Sequence, residues 1–576
     1  MKKMLLLLVF IVVTISQINS QTIYYVMENA SGDGSSWNKA AGNIQDMIDK
    51  AHAGDEIWIA EGIYYPSEQM DEEDVHSFSF VLKDGVSLYG GFYGNETNID
   101  SRPKSDKDKN GNIEAWEFTY ETIFSGNIDG IQDIWTKNIV SSDDWLWNYS
   151  GVKDNARTVV SSPKDAINET LVDGFTITAA YGDGIIAREK TIVQNCIAFY
   201  NALGAFTSYS GTIRNCYAYN NQSVRGGGIY NSLGTVENCL VENNVAYYST
   251  QTVLNGYGGG IYNSEGTVSN CIVRNNHART YHSGYAYTTA HARSEGGGIF
   301  NVKGTVEKCL VMNNSNYCVS YISGGSYRDA YARGGGIFNE EGIVSNCCVI
   351  NNKIYAYSYY AIRRSSGGGI NSTSNSIVYN TTIVNNDQYP DASAGSNANE
   401  YYQSDNSSSY NCITEATNLE KNFIRPTSFI GAEYSNEQKI KQIHESDWTL
   451  KAGSSFINSG STTHLPDWII NGTDLAGNPR ILDNKIDFGA YEYTGNYVSI
   501  DEIKESAIFC FIDKNGFLHV QDLTSHSLIQ IYDLNGRLLK EARTNSESTQ
   551  LSLPQRGIYI IRIQTENNTS SRKLVW

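Results

Sequence analysis

Proline and positive charge are both scarce in this chain. Only 8 of its 576 residues are Pro, and 43 Lys and Arg face 62 Asp and Glu, a formal net charge of −19. A surface that acidic repels phosphate backbones and anionic lipid heads, which counts against nucleic acid as a partner. It suits metal cations and solubility. Long apolar runs are missing too, apart from residues 4–13, which follow Lys2 and Lys3 and lead into a polar stretch. A basic start, a short apolar core and small residues are the parts of a secretory signal peptide. That run falls short of the roughly 20 residues a membrane span needs. Residues 1–20 are therefore expected to be removed near Ser20–Gln21, leaving a mature chain with no transmembrane segment. The ten Cys form no CxxC and no Cys/His pairing, which speaks against a zinc site.

Glycine and tyrosine are abundant instead, 52 and 40 residues. They favour tight turns and strands over helices. The glycines mark an internal repeat. Gly226-Gly227-Gly228-Ile229-Tyr230-Asn231 is followed by Gly234-Thr235-Val236-Glu237-Asn238-Cys239-Leu240-Val241-Glu242-Asn243-Asn244, and the pattern recurs from Gly258, Gly296 and Gly334 and more weakly from Gly367. From the last Gly to the Cys the step is 11 in four copies (228→239, 260→271, 298→309, 336→347) and 12 in the fifth, where Thr381 takes the Cys place, whereas the segments 245–257, 277–295, 315–333 and 353–366 vary in length. A stack that accepts insertions at one corner only is a solenoid. Its short, β-branched, nearly alternating segments predict three strands per coil of a parallel β-helix. Val236, Cys239 and Val241 should point inward, and Asn238 should supply a left-handed corner. Cys196, Cys216, Cys239, Cys271, Cys309 and Cys347 then read as a column of small buried hydrophobes, with disulfides between rungs left open. An amphipathic helix over 43–53, with Ile44, Met47, Ile48 and Ala51 on one face, should cap the first coil.

These motifs carry a resemblance. Ser31-Gly32-Asp33-Gly34-Ser35-Ser36-Trp37, Leu88-Tyr89-Gly90-Gly91-Phe92 and Ser125-Gly126-Asn127-Ile128-Asp129-Gly130 look like the N-terminal part of secreted bacterial right-handed β-helix proteins. The Gly-triplet and Asn-Asn repeats resemble those of polymorphic outer-membrane proteins. Asp487-Phe488-Gly489-Ala490-Tyr491-Glu492-Tyr493 resembles the motif that closes many such helices. Ile531-Tyr532-Asp533-Leu534-Asn535-Gly536 and Gly557-Ile558-Tyr559 through Lys573-Leu574-Val575 resemble the C-terminal sorting domain of type IX secretion substrates, although its usual Pro-Asn-Pro is absent. The expectation is an all-β chain. A cap and first coils occupy 21–170, and right-handed parallel β-helix repeats with a closing segment occupy 171–497. A small immunoglobulin-like antiparallel β-sandwich over 498–576 would be read by the type IX secretion machinery, placing the product outside the cell or on its outer-membrane surface.

Three features could carry chemistry. Asp106-Lys107-Asp108-Lys109-Asn110-Gly111-Asn112-Ile113-Glu114-Ala115-Trp116-Glu117 meets the EF-hand loop specification. Asp106, Asp108, Asn110, the Asn112 carbonyl and a bidentate Glu117 would be calcium ligands, with Glu114 acting through water. The flanks lack EF-hand helices, so a single structural calcium is expected. Second, the variable segments hold 3, 3, 4 and 4 Tyr. Tyr281, Tyr285, Tyr287, Tyr327, Tyr331, Tyr357, Tyr359 and Tyr360, with Arg279, Arg293, Arg328 and Arg363 among them, could engage carbohydrate or another surface protein, or else pack on one another. Third, Glu237 and Glu307 should lie two rungs apart on a solvated face, roughly 9.6 Å at the strand spacing, a separation compatible with inverting carboxylates. No convergent acid/base cluster accompanies them, so no catalytic residue is assigned. A non-enzymatic binding protein is the preferred reading, with a polysaccharide lyase or glycoside hydrolase on the same scaffold as its rival.

Overall fold

The computed structural model describes residues 21–494 and 509–575, less short stretches that include 249–254, 284–291, 322–328, 359–362, 389–399 and 466–471. The expected export signal over 1–20 lies outside them. The chain forms two compact units, Met1–Tyr493 and Thr494–Trp576.

In the first unit three short strands make one coil, as Ile229–Ser232, Thr235–Glu237 and Leu240–Glu242 do. Leu233, Asn238 and Asn243 turn its corners at φ of 63°, 55° and 56°, the left-handed region that Asn tolerates better than most residues. Equivalent strands pair in parallel from coil to coil, so Val236 stands beside Val268, then Val306, then Val344. Among the described residues this stacking builds sheets of 12, 11 and 10 strands.

The columns inside are chemically uniform. Cys196, Cys216, Cys239, Cys271, Cys309 and Cys347 are all buried and free. Each thiol turns to a backbone carbonyl, as Cys271 Sγ does to Ser269 O at 3.1 Å. Burial pushes the Cys271 thiol well up from its ordinary value, which suits a packing role. A second column is polar. Asn201, Asn221, Asn244, Asn276, Asn314, Asn352 and Asn386 hand hydrogen bonds along the axis, each Nδ2 to the next Oδ1 at 2.9–3.1 Å. The glycine triplet makes room for it. A Cβ on Gly260 would stand 2.8 Å from Asn276 Nδ2, so a larger residue there would break the ladder.

The first coil is closed by the helix Ile44–Lys50, whose N-cap Asn43 accepts from Gln45 N at 2.8 Å. Ile44, Met47 and Ile48 lie in the same apolar core as Val26 and Ile57.

Two expectations are corrected. The variable segments are not irregular excursions. Among the described residues they continue as parallel strands that make a six-stranded and a four-stranded sheet, beginning where the Asn ladder ends (Val245 beside His277, His277 beside Ser315). Nor are the outward positions of the main sheets solvated along their length. The described parts of residues 419–493 run back over the third sheet, where Phe423, Trp448, Phe456 and Ala490 cover Leu310, Met312, Cys348 and Ile350. Apolar outward side chains on late coils need such a cover, because leaving them in water forfeits about 25 cal/mol per Å².

The second unit holds two antiparallel sheets, of three and four strands among the described residues. Leu518, Val520, Ile529, Ile531, Ile561 and Ile563 form its core.

Candidate functional site

The loop 106–117 folds on itself by local hydrogen bonds. Asp106 accepts from Asn110 N at 3.1 Å and Gly111 N at 2.9 Å. Asn110 Oδ1 accepts from Asn112 N at 2.8 Å. Gly111, at φ 92°, provides the turn. Glu117 is buried, and its two oxygens accept from Lys107 N at 3.0 Å and Glu114 N at 2.9 Å. Carboxylate oxygens of Asp106, Asp108 and Glu117 thereby lie within 4.8 Å of one another. Oxygens about 2.4 Å from a shared Ca²⁺ are at most about 5 Å apart, so the three fit one ion. Asn110 and Asn112 belong to the same turn, but the Asn110 amide oxygen is occupied by Asn112. An antiparallel bridge from Lys104 to Phe118 frames the loop. Burial and a hydrogen bond to Glu117 raise the Glu114 carboxyl. Trp116 rests against Tyr217 of the coils, ring centroids 5.7 Å apart.

The inserts form a thin second lobe. Ala292, Cys318, Ala330, Ala332, Ile354 and Ala356 make the small-residue core between its two sheets. On the outer face of the four-stranded sheet, Asn255, Arg293, Tyr331 and Arg364 fall in one register column. Arg293 and Arg364 are exposed. Their guanidinium carbons stand 5.9 and 5.7 Å from the Tyr331 ring, with Arg333 also at 5.7 Å. Arg363 stands over Tyr357 at 4.6 Å, and Tyr317 and Tyr355 stack at 4.3 Å. Tyr285, Tyr287, Tyr327, Arg328, Tyr359 and Tyr360 lie outside the described residues.

Arg279 is placed otherwise than expected. A hairpin, Ile134–Ser141 with Asp144–Ser150, covers the start of the insert lobe. Its Asp144 pairs closely with Arg279 Nε, meets Arg279 Nη2 at 3.0 Å and His277 at 3.3 Å, and all three residues are buried. Burial raises the Asp144 carboxyl, but His277 and Arg279 outweigh it and hold it below the usual range. Arg279 anchors the hairpin and is not open to a ligand. The alternation Asp144-Trp145-Leu146-Trp147 is a legible strand signal for this element. Glu237 and Glu307 do stand two rungs apart across Ser269. Glu307, however, is buried beside Lys308 at 3.4 Å, and burial raises its carboxyl.

Residues 165–331 match the family model described as a right-handed beta helix region, and residues 514–576 match the one for the secretion system C-terminal sorting domain. The chain is a right-handed parallel β-helix protein. It carries a type IX sorting domain at its C-terminus, and so is exported to the cell surface or the extracellular space. Pectate lyase Pel9A is similar in structure, with 14% identity, 83% of this chain and 97% of that chain covered, and a TM-score of 0.41. A rhamnogalacturonan lyase gives 13% identity, 73% and 98% coverage and a TM-score of 0.38. The mannuronan C-5 epimerase AlgE6 A-module of Azotobacter vinelandii gives 12%, 65%, 95% and 0.25. No curated protein matches the sequence.

Proposed function

We propose that this exported β-helix protein binds acidic glycan through the outer face of its insert lobe, without turning it over, and that the loop 106–117 holds a structural calcium ion. The observation that carries the binding reading is the column Asn255, Arg293, Tyr331, Arg364. Guanidinium forks match carboxylate or sulfate groups in two-point contacts, and the Tyr331 ring between them holds Arg293 and Arg364 by cation–π attraction. Arg293 and Arg364 are two rungs apart, about 9.6 Å at the strand spacing. The net charge of −19 works against any polyanion at long range, so the attraction is a local one, from guanidinium groups within the screening length of about 8 Å at physiological salt.

Replacing both Arg293 and Arg364 by Ala is expected to weaken binding of polygalacturonate at least tenfold, about 1.4 kcal/mol, in affinity electrophoresis of the mature protein. Uncharged cellulose oligomers should not bind this face. Equal retardation of parent and variant would sink the reading. So would release of reducing ends from the polymer, which would make the protein an enzyme.

For the loop, a site of the weaker extracellular class, with Kd of roughly 10⁻⁴–10⁻³ M, gains about 1.4–2.7 kcal/mol at 10 mM free Ca²⁺. Calorimetry should show saturable Ca²⁺ heat, and Tb³⁺ in its place should luminesce when the indole of Trp116 is excited. Both signals should vanish in the Asp106→Asn, Asp108→Asn double variant. Heat that persists in that variant places the ion elsewhere.

A further inference from the structure

At the base of the hairpin, on the early coils and apart from the insert lobe, lies a cleft of about 380 Å³ whose walls include Asn127, Asp133, Trp135, Thr178, Ala179 and Tyr200. That volume is at the small end of the range for ligand pockets. Its rim is a built turn. Asn127 Oδ1 accepts from Gly130 N at 3.1 Å, Asn127 Nδ2 donates to Ile131 O at 2.7 Å, and Asp129 accepts from Ile131 N at 2.9 Å. This turn launches the extended segment that bears Asp133 and Trp135, two positions apart and so on one face.

The floor departs from the repeat. Later coils place Asn220, Asn243, Asn275, Asn313 and Asn351 at the left-handed corner after the third strand, whereas these coils place Ala179 at φ 61° and Tyr200 at φ 55° there. Bulky residues hold other left-handed corners of the coils too, Leu233 at φ 63° and Lys303 at φ 55° among them, so the corner itself sets this geometry. Tyr200 uses it to present a ring that stacks with Trp135 at 5.3 Å and 23°.

Two polar atoms among the cleft residues are buried and, among the described residues, without a hydrogen-bond partner: Asp133 Oδ1 and Trp135 Nε1. One is an acceptor and the other a donor. Asp133 Oδ2 is already satisfied by Asn155 Nδ2 at 2.7 Å. Leaving either atom dry costs about 1–3 kcal/mol. A carboxylate or phosphate could accept from Nε1 but would meet the charge of Asp133, with Asp129 and Asp154 nearby, and no Lys or Arg lines the cleft among the described residues. An ammonium group could donate to Asp133 but would leave Nε1 empty. A hydroxyl both donates and accepts, and a sugar carries several beside an apolar ring face that suits Trp135 and Tyr200.

We propose that this cleft is a binding site for a neutral sugar unit, with Asp133 Oδ1 accepting from one ring hydroxyl and Trp135 Nε1 donating to another. It is independent of the arginine face on the inserts.

The test is saturation-transfer NMR on the full mature protein with neutral gluco-, galacto-, manno- and xylo-oligosaccharides, beside glucosamine and galacturonate. At least one neutral oligosaccharide should bind, at least tenfold more weakly to Asp133→Asn. Trp135→Phe, which keeps a ring and removes the N–H, should weaken it about fivefold. Thr178→Phe, which fills the cleft and leaves the hairpin aromatics in place, should abolish it. The Arg293→Ala, Arg364→Ala variant should bind as the parent does. Binding of glucosamine or galacturonate alone overturns the proposal. So does the absence of any neutral ligand, or neutral binding that survives both Asp133→Asn and Thr178→Phe.

Discussion

Replacing Asn276 by Leu is expected to destabilise the β-helix by about 4 kcal/mol, at the upper end of what a single substitution does to a folded chain. The Asn276 side chain is fully buried and makes four hydrogen bonds. Its Oδ1 accepts from Asn244 N and Nδ2, both at 3.0 Å, and its Nδ2 donates to Val241 O at 2.9 Å and Asn314 Oδ1 at 3.1 Å. A leucine of similar volume makes none of these, and each stranded partner is dry, at about 1–3 kcal/mol apiece before relaxation. Gly260 on one side leaves no slack, since its missing Cβ is the space the amide occupies. Because neighbouring coils share the ladder, the loss should appear as earlier melting of the middle coils in urea. Asn270→Gly is the control. Asn270 sits at φ 55° on the outside, with an exposed bond to Asn238, and glycine accepts that φ, so stability should change by a few tenths of a kcal/mol. Equal urea midpoints for Asn276→Leu and the parent would mean that the ladder contributes nothing.

The legibility of this fold in its sequence follows from the same columns. The step from Gly228 to Cys239, and from Gly260 to Cys271, spans two corners and two strands, and a one-residue insertion within a strand would move its inward residues outward; the extra residue of the fifth coil sits at a corner, Ser374 and Asn375 at φ 53° and 61°, and Val378 stays beside Val344. Val236, Cys239 and Val241 could therefore be placed inside without coordinates, and Asn43 with Ile44, Met47 and Ile48 declared the cap helix by local pattern alone. The loop 106–117 was readable for a similar reason, since its acids converge through bonds spanning at most ten residues. Register explains the strands that length alone conceals. The inserts differ in length, which looks like loop, yet each starts at the Asn ladder and so inherits the pairing Val245, His277, Ser315, Lys353. They run as strands until the lengths diverge. The return of residues 419–493 over Met312 and Ile350 joins segments about a hundred residues apart, and periodicity holds no information on such contacts. The burial of Arg279 is illegible for the same reason, its partner Asp144 lying far upstream.

The return segment has its own point of failure. Arg480 is fully buried, and Asp474, Asp487 and Glu492 are buried with it. It meets Glu492 Oε1 at 3.2 Å, Gly489 O at 2.6 Å and, on the coil, Asn346 Oδ1 at 3.0 Å. One cation among three carboxylates cannot neutralise them. Burial, then the neighbouring Asp487 and Asp474, push the Glu492 carboxyl up from 4.5 to about 8 against the pull of Arg480. The folded protein therefore holds a proton that the unfolded chain has already lost between pH 4.5 and about 8. Stability supplied by that proton is complete below pH 4.5 and falls as pH rises through the window, by up to about 1.4 kcal/mol per unit for one site. The urea midpoint of the parent should thus be lower at pH 8 than at pH 5, and Glu492→Gln should flatten the slope. Arg480→Met removes the counter-charge and should cost about 3–5 kcal/mol, more at pH 8 than at pH 5, since at pH 5 Glu492 is already neutral. Cleavage after residues of the return segment in limited proteolysis should appear first in that variant at high pH. A midpoint in the parent that does not move between the two pH values would show that Glu492 is ionised throughout and that the clamp is an ordinary ion pair.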